Sequence, residues 1–349
     1  MADTLVRVDT QIVDLLNQLA QLHEQREKCL GGDDGERYSV YPIRDEEAFK
    51  IHKEQEARVW NASICKFAND VADYKLLNAL EKAIMDKSLS WFAKADGLVG
   101  DNIVYRFRMS ARTYEEGMFY NLQGYVETVH AESYSLALRE MTEKNEAEML
   151  RILKLSDASA ALAAKTNFIK KYLFSKESEA IRTWAFVIVE GVGFTSLFTV
   201  PHWFKSRGKL KSFAFLNEEI NKDETIHMRF GVMKMHKLPE GMLNVDEAYR
   251  IMDEFVQIED AFVDELIPTP IEDLNAADVR QHVRCIADNV LAYAGYAKLY
   301  HVKSTLPFIK AVDMGTRTNF FEDRDSSYVR TTTSRDTTDH LTNPESYMF

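Results

Sequence analysis

No proline interrupts the chain between Pro42 and Pro201. Proline lacks a backbone donor and clashes with the preceding turn, so helices end or kink where it falls. A proline-free stretch of that length, in 349 residues with only 14 glycines, reads as a run of long helices. Apolar spacing predicts them at roughly 46–66, 72–98, 102–131, 133–153, 157–175, 178–206 and 211–236, with a kink or break near Val200-Pro201. Two further helices, 246–266 and 275–303, are separated by Pro268-Thr269-Pro270. An amphipathic helix over 4–28 precedes the main body, with Leu5, Val8, Ile12, Leu15, Leu16, Leu19 and Leu22 on one side, and Gly31, Gly32 and Gly35 mark the break after it. The fold class is therefore all-α.

Charge and composition exclude several functions. The net charge is -12 and no basic block stands out, which argues against nucleic-acid binding. Met1 to Val8 carry no hydrophobic signal segment and no run of 18 residues is wholly apolar, so no membrane span is expected. Cys29, Cys65 and Cys285 lie far apart with no CxxC spacing and read as reduced thiols in a cytoplasmic protein.

The chemistry is concentrated in two Glu-x-x-His units, Glu127-Thr128-Val129-His130 and Glu224-Thr225-Ile226-His227. Residues three apart share a helix face, so each pair can reach one metal ion. Asp96 lies late in an apolar segment containing Leu89, Trp91 and Phe92, and Glu190 lies within Phe186-Val187-Ile188-Val189-Glu190. A carboxylate in such surroundings is costly unless paired or metal-bound. The order Asp, Glu-x-x-His, Glu, Glu-x-x-His on four helices is that of a dimetal carboxylate bundle. Its oxygen and nitrogen donors suit iron or manganese. Taken singly, each residue reads as readily as an ordinary ion pair or core histidine; the combination in this order does not. Tyr134 follows His130 by four residues and Glu127 by seven, on the same helix face. Phe194, Phe198 and Ile220 are spaced to place apolar groups around its ring, although aromatic stripes of this kind are equally the signature of plain core.

In combination, Ala95-Asp96-Gly97, Glu127 through Tyr134, Val189-Glu190-Gly191 and Lys222-Asp223-Glu224 through His227 resemble the small subunit of class I ribonucleotide reductase, over about Tyr41 to Tyr328. The resemblance implies a ferritin-like helical bundle with a dimetal carboxylate site in its core, and a homodimer. It implies Asp96, Glu127, His130, Glu190, Glu224 and His227 as ligands of two metal ions per chain: iron first, with manganese or a mixed manganese–iron pair as alternatives. It makes Tyr134 the radical site, formed with O2 or a reduced oxygen species, and gives Trp60, Asp223 and Tyr328 roles in passing the radical to a large catalytic subunit. There ribonucleoside diphosphates would be reduced to deoxyribonucleotides. A flavoprotein activator is compatible with the resemblance and is encoded by no motif.

The chain departs from the family after Trp60, where Asn61-Ala62-Ser63-Ile64-Cys65-Lys66 lacks the acidic residues usual there, and in the segment from Thr331 to Phe349. Tyr347 is thus a second candidate for the relay role of Tyr328. The expected division is an N-terminal helical extension, 1–35; a ferritin-like dimetal domain, 36–318; and a polar, flexible C-terminal tail, 319–349, that docks on the large subunit. The competing reading is a related dimetal oxidase or monooxygenase; such relatives usually carry Glu where Asp96 stands and lack the combination of Trp60, Asp223 and an aromatic-bearing tail.

Overall fold

The computed structural model describes residues 2–29, 39–102, 106–173 and 176–309. These form helices α1 (Ala2–Cys29), α2 (Glu46–Ala57), α3 (Ala68–Lys75), α4 (Ala79–Asn102), the single turn α5 (Arg108–Ser110), α6 (Tyr114–Met141), α7 (Glu146–Leu153), α8 (Ala160–Leu173), α9 (Glu179–Val192), α10 (Thr195–Ser206), α11 (Lys211–His236), α12 (Val245–Leu266) and α13 (Ala276–Tyr293). Among the described residues there is no strand, only an isolated bridge between Ile271 and Leu274. Met1–Leu306 make one compact unit; Pro307–Phe349 make a second, described only through Ile309. Tyr328, Tyr347 and the expected docking tail lie outside the described residues.

Helix starts are set by local chemistry. Asp45, Thr113, Ser178, Asn244 and Asn275 each accept a backbone N–H of the first turn through the side chain. Such caps satisfy donors that the helix itself leaves open. Three expected boundaries are corrected. The segments expected at 102–131 and 133–153 are a single helix to Met141 followed by a separate α7, so Glu127, His130 and Tyr134 share one unbroken helix. The helix expected over 46–66 stops at Ala57, which leaves Trp60 in the connection that follows. The break expected at Val200-Pro201 falls instead at Gly193-Phe194, and Pro201 sits inside α10.

The central layer packs α4 on α6 and α9 on α11, with α6 also against α11 and α2 across both α6 and α11. Helices α8, α12 and α13 surround α9. The stretch Glu179–Ser206 is long and apolar enough to cross a membrane, but 89% of its most apolar window is buried in the protein, so it is core. Helices α9 and α11 approach closely because each carries a glycine at the crossing. A Cβ on Gly231 would lie 2.8 Å from Val187 Cγ2, and one on Gly191 2.9 Å from Met228 Cγ.

A buried ion pair secures the junction between α9 and α10. Lys165 on α8 pairs with Glu259 on α12 and donates to the Gly193 carbonyl at 3.1 Å, while Ser196 Oγ donates to Glu259 Oε2 at 2.6 Å. Burial pushes the lysine down and the glutamate up, each opposed by the other's charge. Removing one partner of a buried pair strands the other, at a cost of about 3–5 kcal/mol. Lys165→Met should therefore lower the thermal midpoint sharply, and Lys165→Met/Glu259→Leu should recover most of the loss in the same melting experiment.

Cys65 is buried, and burial pushes its thiol up to about 12. Thiolate is the reactive form. Cys65 should therefore stay unlabelled by iodoacetamide at pH 8 in the folded protein and react once the polypeptide is denatured, as read by mass spectrometry.

Helix α1 differs from all the others. Val8, Ile12, Val13, Leu15, Leu16 and Leu22 are exposed along it, between 44% and 63%.

Candidate metal centre

Four core helices bring the expected ligands together. Glu127 and His130 come from α6, Glu190 from α9, and Glu224 and His227 from α11, all of them buried. Asp96 is carried by α4, one turn after Phe92; its side chain lies outside the described residues. Ligand atoms of Glu127, Glu190, Glu224 and His227 all lie within 4.8 Å of one another, a grouping that could hold a metal ion.

The two imidazoles share the same carboxylates. His130 Nδ1 lies 3.3 Å from Glu127 Oε2 and 3.2 Å from Glu224 Oε1. His227 Nδ1 lies 3.1 Å from Glu127 Oε1 and 3.2 Å from Glu224 Oε2. Each of these glutamates thus offers one oxygen to each histidine, and the imidazole rings stand 6.3 Å apart. Glu190 closes the far side, with Oε2 3.6 Å from His227 Nδ1 and Oε1 accepting from Gln123 Nε2 at 3.3 Å.

Several of these atoms lack hydrogen bonds despite full burial: Glu127 Oε1, His130 Nδ1, Glu190 Oε2 and Glu224 Oε1. Buried acceptors left in that state are expensive, and bound cations would relieve the cost. Proton affinities show the same demand for positive charge. Burial and the neighbouring Glu224 push the Glu190 carboxyl well up. Burial alone would lower both histidines; the surrounding carboxylates reverse that, Asp223 first for His130 and Glu127 first for His227, and hold both well above the usual range. In Glu224, hydrogen bonds from the two histidines overcome burial and hold the carboxyl far below its usual range. The donor set of carboxylates and imidazoles fits two ions of the iron or manganese type.

Asp223 joins this cluster to Trp60. Its Oδ2 lies 3.1 Å from His130 Nε2 and accepts from Trp60 Nε1 at 2.7 Å, and its Oδ1 accepts from Gln55 Nε2 at 3.0 Å. The imidazole nitrogen away from the carboxylate cluster is thereby occupied, which leaves Nδ1 as the coordinating atom. Trp60 stacks on His130 with ring centroids 5.9 Å apart.

Tyr134 is fully buried on α6 beyond His130. Phe92 stacks on it at 4.3 Å with planes 9° apart, and Phe213 meets its edge at 6.4 Å. Phe198 lies behind Phe92 at 5.9 Å, with Phe194 at 5.9 Å from Phe198, and Ile220 is buried one turn before Glu224. The phenol donates to Asn217 Oδ1 at 3.0 Å, and Asn217 Nδ2 is anchored on the Phe213 carbonyl at 2.7 Å. Phe92, Phe213, Asn217, Gln55 and Gln123 were not singled out from sequence. Asn217 stands seven residues before Glu224, and Gln123 four before Glu127, so heptad and turn spacing from the ligands could have flagged both.

A family model described as ribonucleotide reductase, small chain, matches residues 37–307. The protein belongs to that family. Among its relatives, the ribonucleoside-diphosphate reductase small subunit of Plasmodium falciparum (isolate FCR-3 / Gambia) is 30% identical over 314 residues, covering 88% of this protein and 96% of the relative. A ribonucleoside-diphosphate reductase small subunit of Arabidopsis thaliana is 29% identical over 293 residues, covering 84% and 85%. Solved structures share the fold of this reductase small subunit. Dimanganese(II)-NrdF of Streptococcus sanguinis superposes with a TM-score of 0.71 at 21% identity, covering 78% of this protein and 97% of that one. The Rnr4 homodimer of Saccharomyces cerevisiae gives 0.71 at 20% identity, covering 88% and 99%. The ferritin-like, all-helical expectation is borne out, with the carboxylate–histidine cluster in the bundle core.

Proposed function

We propose that this protein is the radical-generating subunit of a class I ribonucleoside-diphosphate reductase, working as a homodimer in the cytoplasm with a separate large subunit. The observation that carries the reading is the sharing of Glu127 and Glu224 between two imidazoles, which marks out two ion positions rather than one. Asp96, Glu127, His130, Glu190, Glu224 and His227 would hold the pair, iron first, with manganese or a mixed pair accepted by the same donors. When bound, the pair supplies, with O2 or a reduced oxygen species, the oxidising power to take one electron and one proton from Tyr134.

The residues of the protein do the rest. The aromatic wall of Phe92, Phe198 and Phe213 keeps water and reductants from the phenol ring. Asn217 fixes the direction of the phenol O–H. Asp223 orients His130 and ties Trp60 to it, so that Trp60 begins an electron path leading out of the bundle. In this proposal Tyr328 (or Tyr347) continues the path within the tail 319–349, which docks on the large subunit beyond the domain 36–318; a flavoprotein activator would serve a manganese-loaded form.

The test is low-temperature electron paramagnetic resonance on metal-loaded, O2-exposed protein, with metal analysis of the same sample. A tyrosyl doublet with about two metals per subunit is the expected result, as the paired ligand sets require. Failure to bind metal under any loading condition would overturn the reading.

A further inference from the structure

The family match begins at residue 37, so it does not reach α1, and no contact described for the bundle covers the apolar face of that helix. We infer that α1 is one strand of a parallel, two-stranded coiled coil whose other strand is α1 of a second copy of this protein.

The spacing of the apolar residues identifies the occupant. Leu5, Val8, Ile12, Leu15, Leu19 and Leu22 alternate by three and four without interruption, which places Leu5, Ile12 and Leu19 at a and Val8, Leu15 and Leu22 at d of three heptads. A straight α-helix drifts by about 20° per heptad against such a repeat. A stripe that holds a 3.5-residue period therefore stays in contact only with something that winds around it, namely another helix. A flat protein face or a membrane would favour a stripe of period 3.6. Val8, Ile12, Leu15 and Leu22 are exposed and Leu19 is half-buried, as expected of a seam whose second strand is a separate molecule.

Charge favours a copy of the same helix. The residues flanking the seam are Thr4, Gln11 and Gln18 at g and Asp9, Leu16 and His23 at e. In a parallel pair they meet as Thr4 with Asp9, Gln11 with Leu16 and Gln18 with His23, none of them a like-charge contact. Two molecules of net charge -12 can thus approach along this edge without opposed charges. Between Ala2 and Gln25, Arg7 is the sole lysine or arginine, which removes the cationic face that an interfacial membrane helix needs. Ile12 at a with Leu15 and Leu22 at d is the core pattern of parallel dimers.

Continuing the register places Cys29 at d, so a parallel, in-register pair sets it beside its own counterpart. The test is diamide treatment of the full-length protein, read on a non-reducing gel. Two Cys29 thiols give up two electrons and two protons to diamide and form one intermolecular disulfide. The expected product is a linked pair of molecules, abolished by Cys29→Ser, unchanged in Cys285→Ser, and reduced at least tenfold in Leu15→Asp/Leu22→Asp, which keeps Cys29. The main melting transition and metal content of the double variant should match the wild type, which separates this test from any failure of the reductase reading. Absence of the Cys29-linked pair, its survival in Leu15→Asp/Leu22→Asp, or a lowered melting transition in that variant would overturn the inference. The last outcome would mean that α1 packs on its own bundle.

Discussion

Tyr134→Phe is expected to lose the tyrosyl resonance and reductase activity together while keeping its metals. The phenylalanine ring retains the stack on Phe92 and the edge contact with Phe213, so the pocket stays filled. What disappears is the O–H that donates to Asn217, a loss of about 1 kcal/mol in stability. Without a phenol there is no proton-coupled one-electron donor at that place. Activity in the reconstituted complex should fall by about a thousandfold or more, equivalent to over ~4 kcal/mol on the barrier. The measurement is a paired resonance spectrum and turnover assay with metal content determined on each sample. Full activity with an unchanged metal complement would exclude Tyr134 as the radical site.

The second large effect concerns Glu127, which faces both imidazoles with one oxygen each. Glu127→Ala should bind fewer than two metals per subunit and give no radical. Its effect on the metal-free protein should be the reverse of an ordinary core deletion. In that state Glu127, Glu190 and Glu224 crowd together in a buried site, and Glu127 adds to the charge that pushes the Glu190 carboxyl up. Removing one carboxylate relieves that repulsion, so the apo melting temperature should hold or rise. Metal ions should stabilise the wild type by about 2.7 kcal/mol at a hundredfold excess over the dissociation constant, and the variant much less. Melting curves with and without manganese would decide it; equal metal-induced shifts in both proteins would remove Glu127 from the ligand set.

How far the site was legible in the sequence follows from which interactions are local. Glu127 with His130, and Glu224 with His227, are fixed by the turn of a single helix, so their spacing carried their geometry in advance. Glu190 stood out because its neighbours are apolar. The wall of the Tyr134 pocket was only half legible. Phe198 was expected there, yet the ring that stacks on the tyrosine is Phe92 from α4, and its hydrogen-bond partner is Asn217 from α11. Which face of one helix meets which face of another depends on packing, not on spacing within either. The misplaced break at Pro201 has a similar cause. The interruption at Gly193 is held by Lys165 from α8 reaching its carbonyl, a contact invisible along α9 and α10 themselves.

The crossing of α9 and α11 sets a gauge for the whole centre. Glu190 is adjacent to Gly191, and Gly231 follows His227 by one turn. With only hydrogen at either Cα, two backbones sit close enough for carboxylates from one to meet imidazoles from the other. A methyl group at Gly231 would push against Val187 and Phe186, residues on the same helix as Glu190. The span across which the ions must fit is therefore calibrated by two hydrogen atoms that touch neither ion, and a survey of damaging substitutions confined to donor residues would pass over the spacers that determine whether those donors meet.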